Sequence, residues 1–238
     1  MNYFRNFPIT TYLFGKENDP IVFQDLSTYV DLIDNVKDQL TFYTYYQIKD
    51  GDRPDHVSRK LYKDEKFHWT FFLLNDNIRR QGWPLEYNEV RSRAEKIYEN
   101  TVIRTRNEIF DTFQVGQTVS GSQSGASGTI IRRNLDNGQL VIEGTHTFKS
   151  GETVTSGSES ITIVSFSEEY NALHHYEDSA GDYVDVSPFD ADPGIYAVVT
   201  NKENYISEND ELKQIRVFKP SDIFSITNRF NEAMIKGV

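Results

Sequence analysis

Apolar and polar positions change their rhythm several times along this chain, and each change marks an element. Residues 1 to 24 read as extended, with Ile9, Tyr12 and Phe14 and then Ile21-Val22-Phe23, separated by the turn-rich run from Gly15 to Pro20. Leu26, Tyr29, Val30, Ile33 and Val36 recur near i, i+3, i+4, i+7 with acidic residues between them, which predicts an amphipathic helix. Tyr43 to Ile48 alternates like a strand, and Asp50-Gly51-Asp52 supplies a turn. Pro54 suits the first turn of a helix, where a missing N–H costs nothing. Val57 and Leu61 continue that helix. After a break at Lys63-Asp64-Glu65, Trp69, Phe72 and Leu73 predict another one, and Glu86 to about Asn100 a further helix with Val90, Ala94, Ile97 and Tyr98 inward.

Helical spacing vanishes from Phe113 to Phe166, where Gly, Ser, Thr and alternating Val/Ile take over. This segment repeats itself. Phe113-x-x-Gly116-x-Thr118-Val119 returns as Phe148-x-x-Gly151-x-Thr153-Val154, predicting two related strand-turn-strand pieces, with Asp136-Asn137-Gly138 as a hairpin turn between Ile130-Ile131 and Leu140-Val141-Ile142. Two units are too few for a solenoid, so the expectation is a small β-barrel or sandwich. Beyond it, Tyr170–Tyr176, Ile195–Thr200 and Ile215–Lys219 read as strands and Asp182–Asp192 as an acidic loop. Pro220-Ser221-Asp222 leads a final helix with Ile223, Ile226, Phe230 and Met234 on one stripe.

Composition narrows the function classes. The chain has 238 residues, 25 basic and 36 acidic, for a formal net charge of −11, which repels phosphate backbones, so nucleic acid is not an expected partner. It has no cysteine, which removes disulfide scaffolds and thiolate metal sites and fits assembly in a reducing cytoplasm. Polar residues interrupt the N-terminus, which reads as neither signal peptide nor membrane span. Fourteen Tyr and sixteen Phe suit a chain packed among protein partners.

No Gly-x-Ser-x-Gly elbow, Walker loop or His-Glu-x-x-His occurs, so nothing nominates a nucleophile or general base and no enzyme is expected. His174 and His175 are adjacent in a predicted strand, hence expected on opposite faces, and His56 and His68 have no His-x3-His partner, so neither a metal nor any cofactor is expected. From Glu168 to Asp192 there are eight acidic residues and no Lys or Arg, without EF-hand spacing, which reads as a solvated loop or a face for a basic partner.

The string from Tyr43 to Leu85 carries a resemblance. Its strand, Gly-Asp turn, pair of helices and Asn at the end of that pair are similar to a LysM module. Asp50, Gly51, Asp52, Pro54, Leu61, Tyr62, His68, Trp69, Asn75, Trp83, Pro84 and Leu85, in that order, resemble the LysM-like baseplate wedge protein of T4-like contractile-tailed phages, the gene-product-53 type. The expected fold class is therefore α+β: a LysM-like βαα module with flanking helices and strands, plus an inserted all-β domain. The expected domains are an extended segment and helix over 1–42, the LysM-like domain and following helix over 43–107, the β-rich insert over 108–166, and a C-terminal α+β segment over 167–238.

The resemblance implies a structural part of a tail baseplate wedge, in the virion and assembled in the host cytoplasm. It implies contacts to other wedge proteins, to the sheath-initiating protein and to neighbouring wedges in a sixfold ring. The alternative is a LysM-type peptidoglycan-binding module of a cell-wall protein. On either reading the candidate groove or interaction residues are Gly51, Asp52, Arg53, Pro54, Trp69, Asn75, Asp76 and Trp83, with backbone amides and Asn75 able to bond acetamido groups.

Overall fold

A computed structural model describes residues 9–12, 20–25, 43–190 and 194–236. The helix expected over Leu26–Val36 lies outside the described residues. In chain order the elements are β1 (Ile9–Tyr12), β2 (Ile21–Gln24), β3 (Tyr43–Gln47), α1 (Pro54–Tyr62), α2 (Trp69–Leu74), α3 (Asp76–Gln81) and α4 (Tyr87–Ile97). Then follow β4 (Thr101–Thr105), β5 (Thr118–Gly121), β6 (Ser127–Asn134), β7 (Gln139–Ile142), β8 (Thr153–Ser156) and β9 (Glu159–Glu168). The chain closes with β10 (Leu173–Glu177), β11 (Tyr183–Val184), β12 (Ala197–Thr200), α5 (Asn201–Glu211), β13 (Gln214–Phe218) and α6 (Ile223–Lys236). The class is α+β, divided into two compact units, residues 1–85 with 210–238 and residues 86–209.

In the first unit, local chemistry sets the helix limits. Pro54 opens α1 and Asp55 places a carboxylate in its first turn, where it complements the helix dipole. The helix stops at Lys63, which takes φ 62° and donates its N–H to the Arg59 carbonyl at 3.0 Å. Asp64 then caps a 3-10 turn over Glu65–Phe67 by accepting from the Lys66 N–H at 3.0 Å. After Leu74, Asn75 alone is extended (φ −128°, ψ 102°) and α3 begins at Asp76.

β3 pairs antiparallel with β13, Tyr45 opposite Arg216 and Tyr46 opposite Ile215. The helices α1 to α3 lie between these two strands in sequence and pack on them. Val57, Phe71, Leu74, Ile78, Ile215, Val217 and Phe218 are buried in one core with Tyr62 and Phe67. Rings dominate it. Tyr62 stacks on Phe71 at 6.0 Å and meets Phe67 edge-on at 5.9 Å, and its hydroxyl donates to the Phe218 carbonyl at 3.0 Å. Burial pushes the Tyr62 hydroxyl pKa far above its ordinary value, so it stays a donor. β1 and β2 form a separate two-stranded antiparallel sheet.

The second unit contains a closed barrel in the order β4-β7-β6-β5-β8-β9, with β9 returning to β4, so the segment forms a barrel and not an open sandwich. Its first strand lies ahead of the repeat, at Thr101. The repeat shows within it: β5-β6 and β8-β9 are matching hairpins joined by β5 on β8, and the ring is completed by β7 and β4, which pair with each other. Gly116 (φ +90°) and Gly151 (φ +84°) adopt the conformation that the repeated glycine serves, and their N–H groups donate to Ile130 and Ile163 carbonyls at 2.8 and 2.9 Å. Phe113 and Phe148 are both buried among Ile103, Val119, Ile130, Leu140, Ile142, Val154 and Ile163.

The same unit holds a three-stranded sheet ordered β11-β10-β12. Its strand β10 departs from expectation. A register shift between Leu173 and His175 breaks the alternation, and His174 Nδ1 lies 2.7 Å from His175 Nδ1 instead of on the opposite face. One ring must be the N–H donor and the other the acceptor. Burial, and after it the charge of His175, hold the His174 pKa below its ordinary value, with Glu208 pulling the other way. The final helix α6 forms where its stripe predicts it, whereas α5, with few apolar residues, has no counterpart in the periodic reading.

Candidate functional site

The residues singled out around the Asp50–Pro54 turn fall into three local settings within the first unit. The first is the turn itself. Gly51 takes φ 76°, and the Asp52 N–H closes on the Lys49 carbonyl at 3.0 Å. Trp83 Nε1 donates to the Asp52 carbonyl at 2.6 Å, so the chain exit at Trp83-Pro84 is tied to the entrance of α1. Lys60 Nζ meets Asp52 Oδ1 at 2.5 Å from the next turn of α1, and that hydrogen bond raises the Lys60 pKa. Tyr46 is raised too, by burial and by the Asp52 charge. Arg53 Nε reaches Asp55 at 3.3 Å on the surface, where such a pair adds little. The Trp83 ring lies 6.0 Å from both Phe71 and Phe72.

The next setting is Asn75. Its side chain is buried and fully engaged: Nδ2 donates to the Phe71 and Arg216 carbonyls, both at 2.8 Å, and Oδ1 accepts from the Arg216 N–H at 2.8 Å. Arg216 stands opposite Tyr45 at a position whose N–H and C=O point away from β3, since the neighbouring Ile48 N–H donates to Lys213 on the inner side at 2.8 Å. Asn75 thus acts as a one-residue surrogate strand on the outer edge of β13. An amide committed this way has no donor left for an acetamido group. Asp76, next to it, pairs with Arg79 at 2.7 Å one turn along α3.

The third setting is Trp69, which is buried and lies 5.0 Å from the Phe230 ring of α6. The structure therefore joins Gly51–Pro54 to Trp83, joins Asn75 to β13, and joins Trp69 to the final helix. The residue that the sequence reading missed is Arg216, whose backbone completes Asn75. Its only local signal was strand spacing.

In the second unit two buried carboxylates, both unflagged by motif, play structural parts. Glu152 is fully buried and accepts from the N–H groups of Lys149 (2.6 Å), Gln123 (2.9 Å) and Ser124 (2.9 Å) and from the Ser124 hydroxyl (2.8 Å). Burial opposes its ionisation, but these donors outweigh burial and bring its pKa down to about 2. Gln117, its counterpart in the repeat, makes the matching bond, Oε1 accepting from Gln114 N–H at 2.8 Å, and a longer one from the Ser156 hydroxyl at 3.5 Å. A Cβ at Gly121 would stand 2.8 Å from each Glu152 carboxylate oxygen, so the absence of a side chain there lets the carboxylate in. Glu169 is also buried. It accepts from Asn100 Nδ2 at 2.9 Å and pairs with Arg132 on β6, while its carbonyl accepts from Asn201 Nδ2 at 2.7 Å, locking α5 to the unit.

Among the described residues, no group of three or more His, Asp or Glu is arranged to hold a metal ion, and no helix is long and apolar enough to cross a membrane. The arrangement supplies rings, backbone clamps and buried anchors.

Comparison with known proteins bears on the same region. The family model described as base plate wedge protein 53 matches residues 5–121, a span that includes Gly51–Pro54, Trp69, Asn75, Asp76 and Trp83 but not their partners Arg216 and Phe230. Among curated proteins nothing matches the chain.

Proposed function

From its membership, over residues 5–121, of the base plate wedge protein 53 family, we propose that this chain joins wedge subunits to one another and neighbouring wedges into a closed ring during assembly of a phage tail baseplate. The family is one of structural phage baseplate proteins, and the family match alone carries the reading. What the fold adds is a physical means. A structural protein acts by burying surface, and stable protein interfaces bury on the order of 1,600 Å² around a few aromatic anchors.

The reading extends to partners and fold. The partners are other wedge proteins, the sheath-initiating protein and adjacent wedges of a sixfold ring, and assembly takes place in the host cytoplasm. The first unit is a LysM-like module reused for packing, whose other strand is β13 rather than a segment adjoining α3. The antiparallel β3–β13 pair with helices between its strands supports this, as fold does not fix function. Glycan binding is not favoured, because Asn75 is spent on β13.

A phage carrying a nonsense mutation in this gene tests the proposal. Sedimentation and negative-stain microscopy of infected cells should find separate wedges and no hexagonal plates. Normal tails in the absence of the protein would overturn it.

A further inference from the structure

Strand β10 meets the barrel at its bulge. There two successive carbonyls bond one neighbouring hairpin, where a regular strand turns successive carbonyls apart: Leu173 accepts from Gln139 Nε2 and His174 from Asn137 Nδ2, both at 2.9 Å. Asn137 and Gln139 are buried, so neither amide can exchange its carbonyl for water without the structure opening. The same bulge brings the two histidine rings together, and their surroundings fix where the protons sit. The Glu177 carboxylate, with Oε1 3.0 Å from His175 Nε2, only accepts, so that nitrogen carries the proton and His175 Nδ1 is bare. His174 Nδ1 is therefore the N–H donor across the 2.7 Å contact. The His175 side chain is buried and its ring stacks on Tyr183 at 5.2 Å, whereas His174 is exposed. Facing the pair are Glu177 on β10 itself, Tyr183 on β11 and Glu208 on α5, with uncharged Val199 of β12 opposite His175. On the barrel side, Arg104 of β4 donates to the Asn137 carbonyl at 3.2 Å.

We propose that the His174–His175 pair is an acid-released latch that holds β10 to the β6–β7 hairpin. One added proton leaves a single hydrogen between the two Nδ1 atoms, and the bond survives with Glu177 and Glu208 balancing the charge. A second gives both Nδ1 atoms a proton and sets two cations against each other at 2.7 Å, so the exposed His174 ring swings out. Nothing then keeps two neighbouring side chains on one side of the strand. The bulge relaxes, and the Leu173 and His174 carbonyls leave Gln139 and Asn137. The folded pair thus refuses a proton that separate rings in the unfolded chain accept, in keeping with the lowered His174 pKa. The sign follows: the latch is closed above the ordinary value of 6.5, and its stability is lost as pH falls below it. The inference stands without the wedge reading.

The test uses the purified full chain. With nitrogen-15 histidine at pH 7.5, ring nitrogen shifts should report Nδ1–H for His174 and Nε2–H for His175; the same tautomer on both rings would overturn the latch. Hydrogen exchange, corrected for its intrinsic pH dependence, should show β10 amides losing about tenfold in protection from pH 7 to pH 5 while β5 and β8 keep theirs. His174→Asn puts an amide donor where Nδ1 stands, and an amide can turn to accept once His175 is charged. Its β10 protection should therefore change less than about threefold over the same range. Unchanged β10 protection in wild type, or an equal loss in the His174→Asn chain, would overturn the proposal. If that variant does not fold, the wild-type tautomers and wild-type protection decide by themselves.

Discussion

The β3–β13 pair and the barrel are both small antiparallel arrangements, but only one of them has edges to manage. In the barrel every strand has two neighbours, because β9 returns to β4, and closure removes the exposed N–H and C=O groups that invite foreign strands. In the first unit, among the described residues, β13 has a single strand neighbour, and the outward N–H and C=O of its Arg216 are satisfied by the amide of Asn75, 141 positions away. Each solution uses a buried polar side chain, of different charge. Asn75 is neutral and bonds both a donor and an acceptor, as a strand would. Glu152 is anionic and gathers donors only, from turns that have no strand partner. The difference teaches where each unit is fragile: the first at one long-range contact, the other at one ionisation.

The largest effect should follow from Asn75→Leu, which keeps volume and removes all three hydrogen bonds. The Arg216 N–H and C=O would be left without partners, each at about 1–3 kcal/mol, for a loss of about 3 kcal/mol in the first unit. Both tryptophans belong to that unit, so denaturant unfolding followed by tryptophan emission reports on it alone. That transition should move to lower denaturant while a barrel signal, read by far-ultraviolet circular dichroism, holds its midpoint. Equal shifts in both would show that the two units do not unfold separately and would dissolve the comparison.

Glu152 sharpens the other side. Its folded pKa of about 2 lies below the ordinary 4.5, so the carboxylate contributes stability that is fully present above the ordinary value and is lost as pH falls through about 2. The barrel transition should therefore weaken between pH 5 and pH 2. Glu152→Gln should lower barrel stability at neutral pH by about 2 kcal/mol, since an amide cannot accept from all four donors, and should remove this part of the acid dependence. An unchanged acid profile in the variant would place the sensitivity elsewhere.

How much of this was legible follows the range of each interaction. The Tyr43 strand, the Pro54 start, the Asp136–Gly138 hairpin turn, the repeat and the Ile223 stripe are local signals, and each sits where its periodicity or turn chemistry predicts. Closure of the barrel was not readable beyond "barrel or sandwich", because it depends on β9 finding β4 some sixty positions earlier. The partner of β3 was hidden for the same reason, lying beyond the whole barrel. α5 escaped because Asn201–Glu211 has no apolar stripe, its anchors being polar: Asn201 bonds the Glu169 and Ala172 carbonyls and Lys202 lies over the Tyr170 ring. The pairing of His174 with His175 was missed because a bulge breaks the alternation that places neighbours on opposite faces. Of the candidate site, residue choice was legible. Roles were not: Asn75 resembled a ligand-binding amide until Arg216 was placed beside it.

The smallest effect separates a surface-accessible clamp from a buried one. Trp83→Phe would delete the Nε1 bond to the Asp52 carbonyl but keep an aromatic ring against Phe71 and Phe72. Trp83 is only half-buried, so water can take over the freed carbonyl, unlike the Arg216 groups behind Asn75. The cost should be about 1 kcal/mol, the net value of one ordinary hydrogen bond, seen in the same denaturant experiment with Trp69 as the remaining emitter. A loss matching that of Asn75→Leu would mean that the tie between Trp83 and the Asp50–Pro54 turn, and not the β13 edge, is what the first unit depends on. Sealing a strand edge would then explain nothing about its fragility, because a contact open to water would be holding as much as one closed to it.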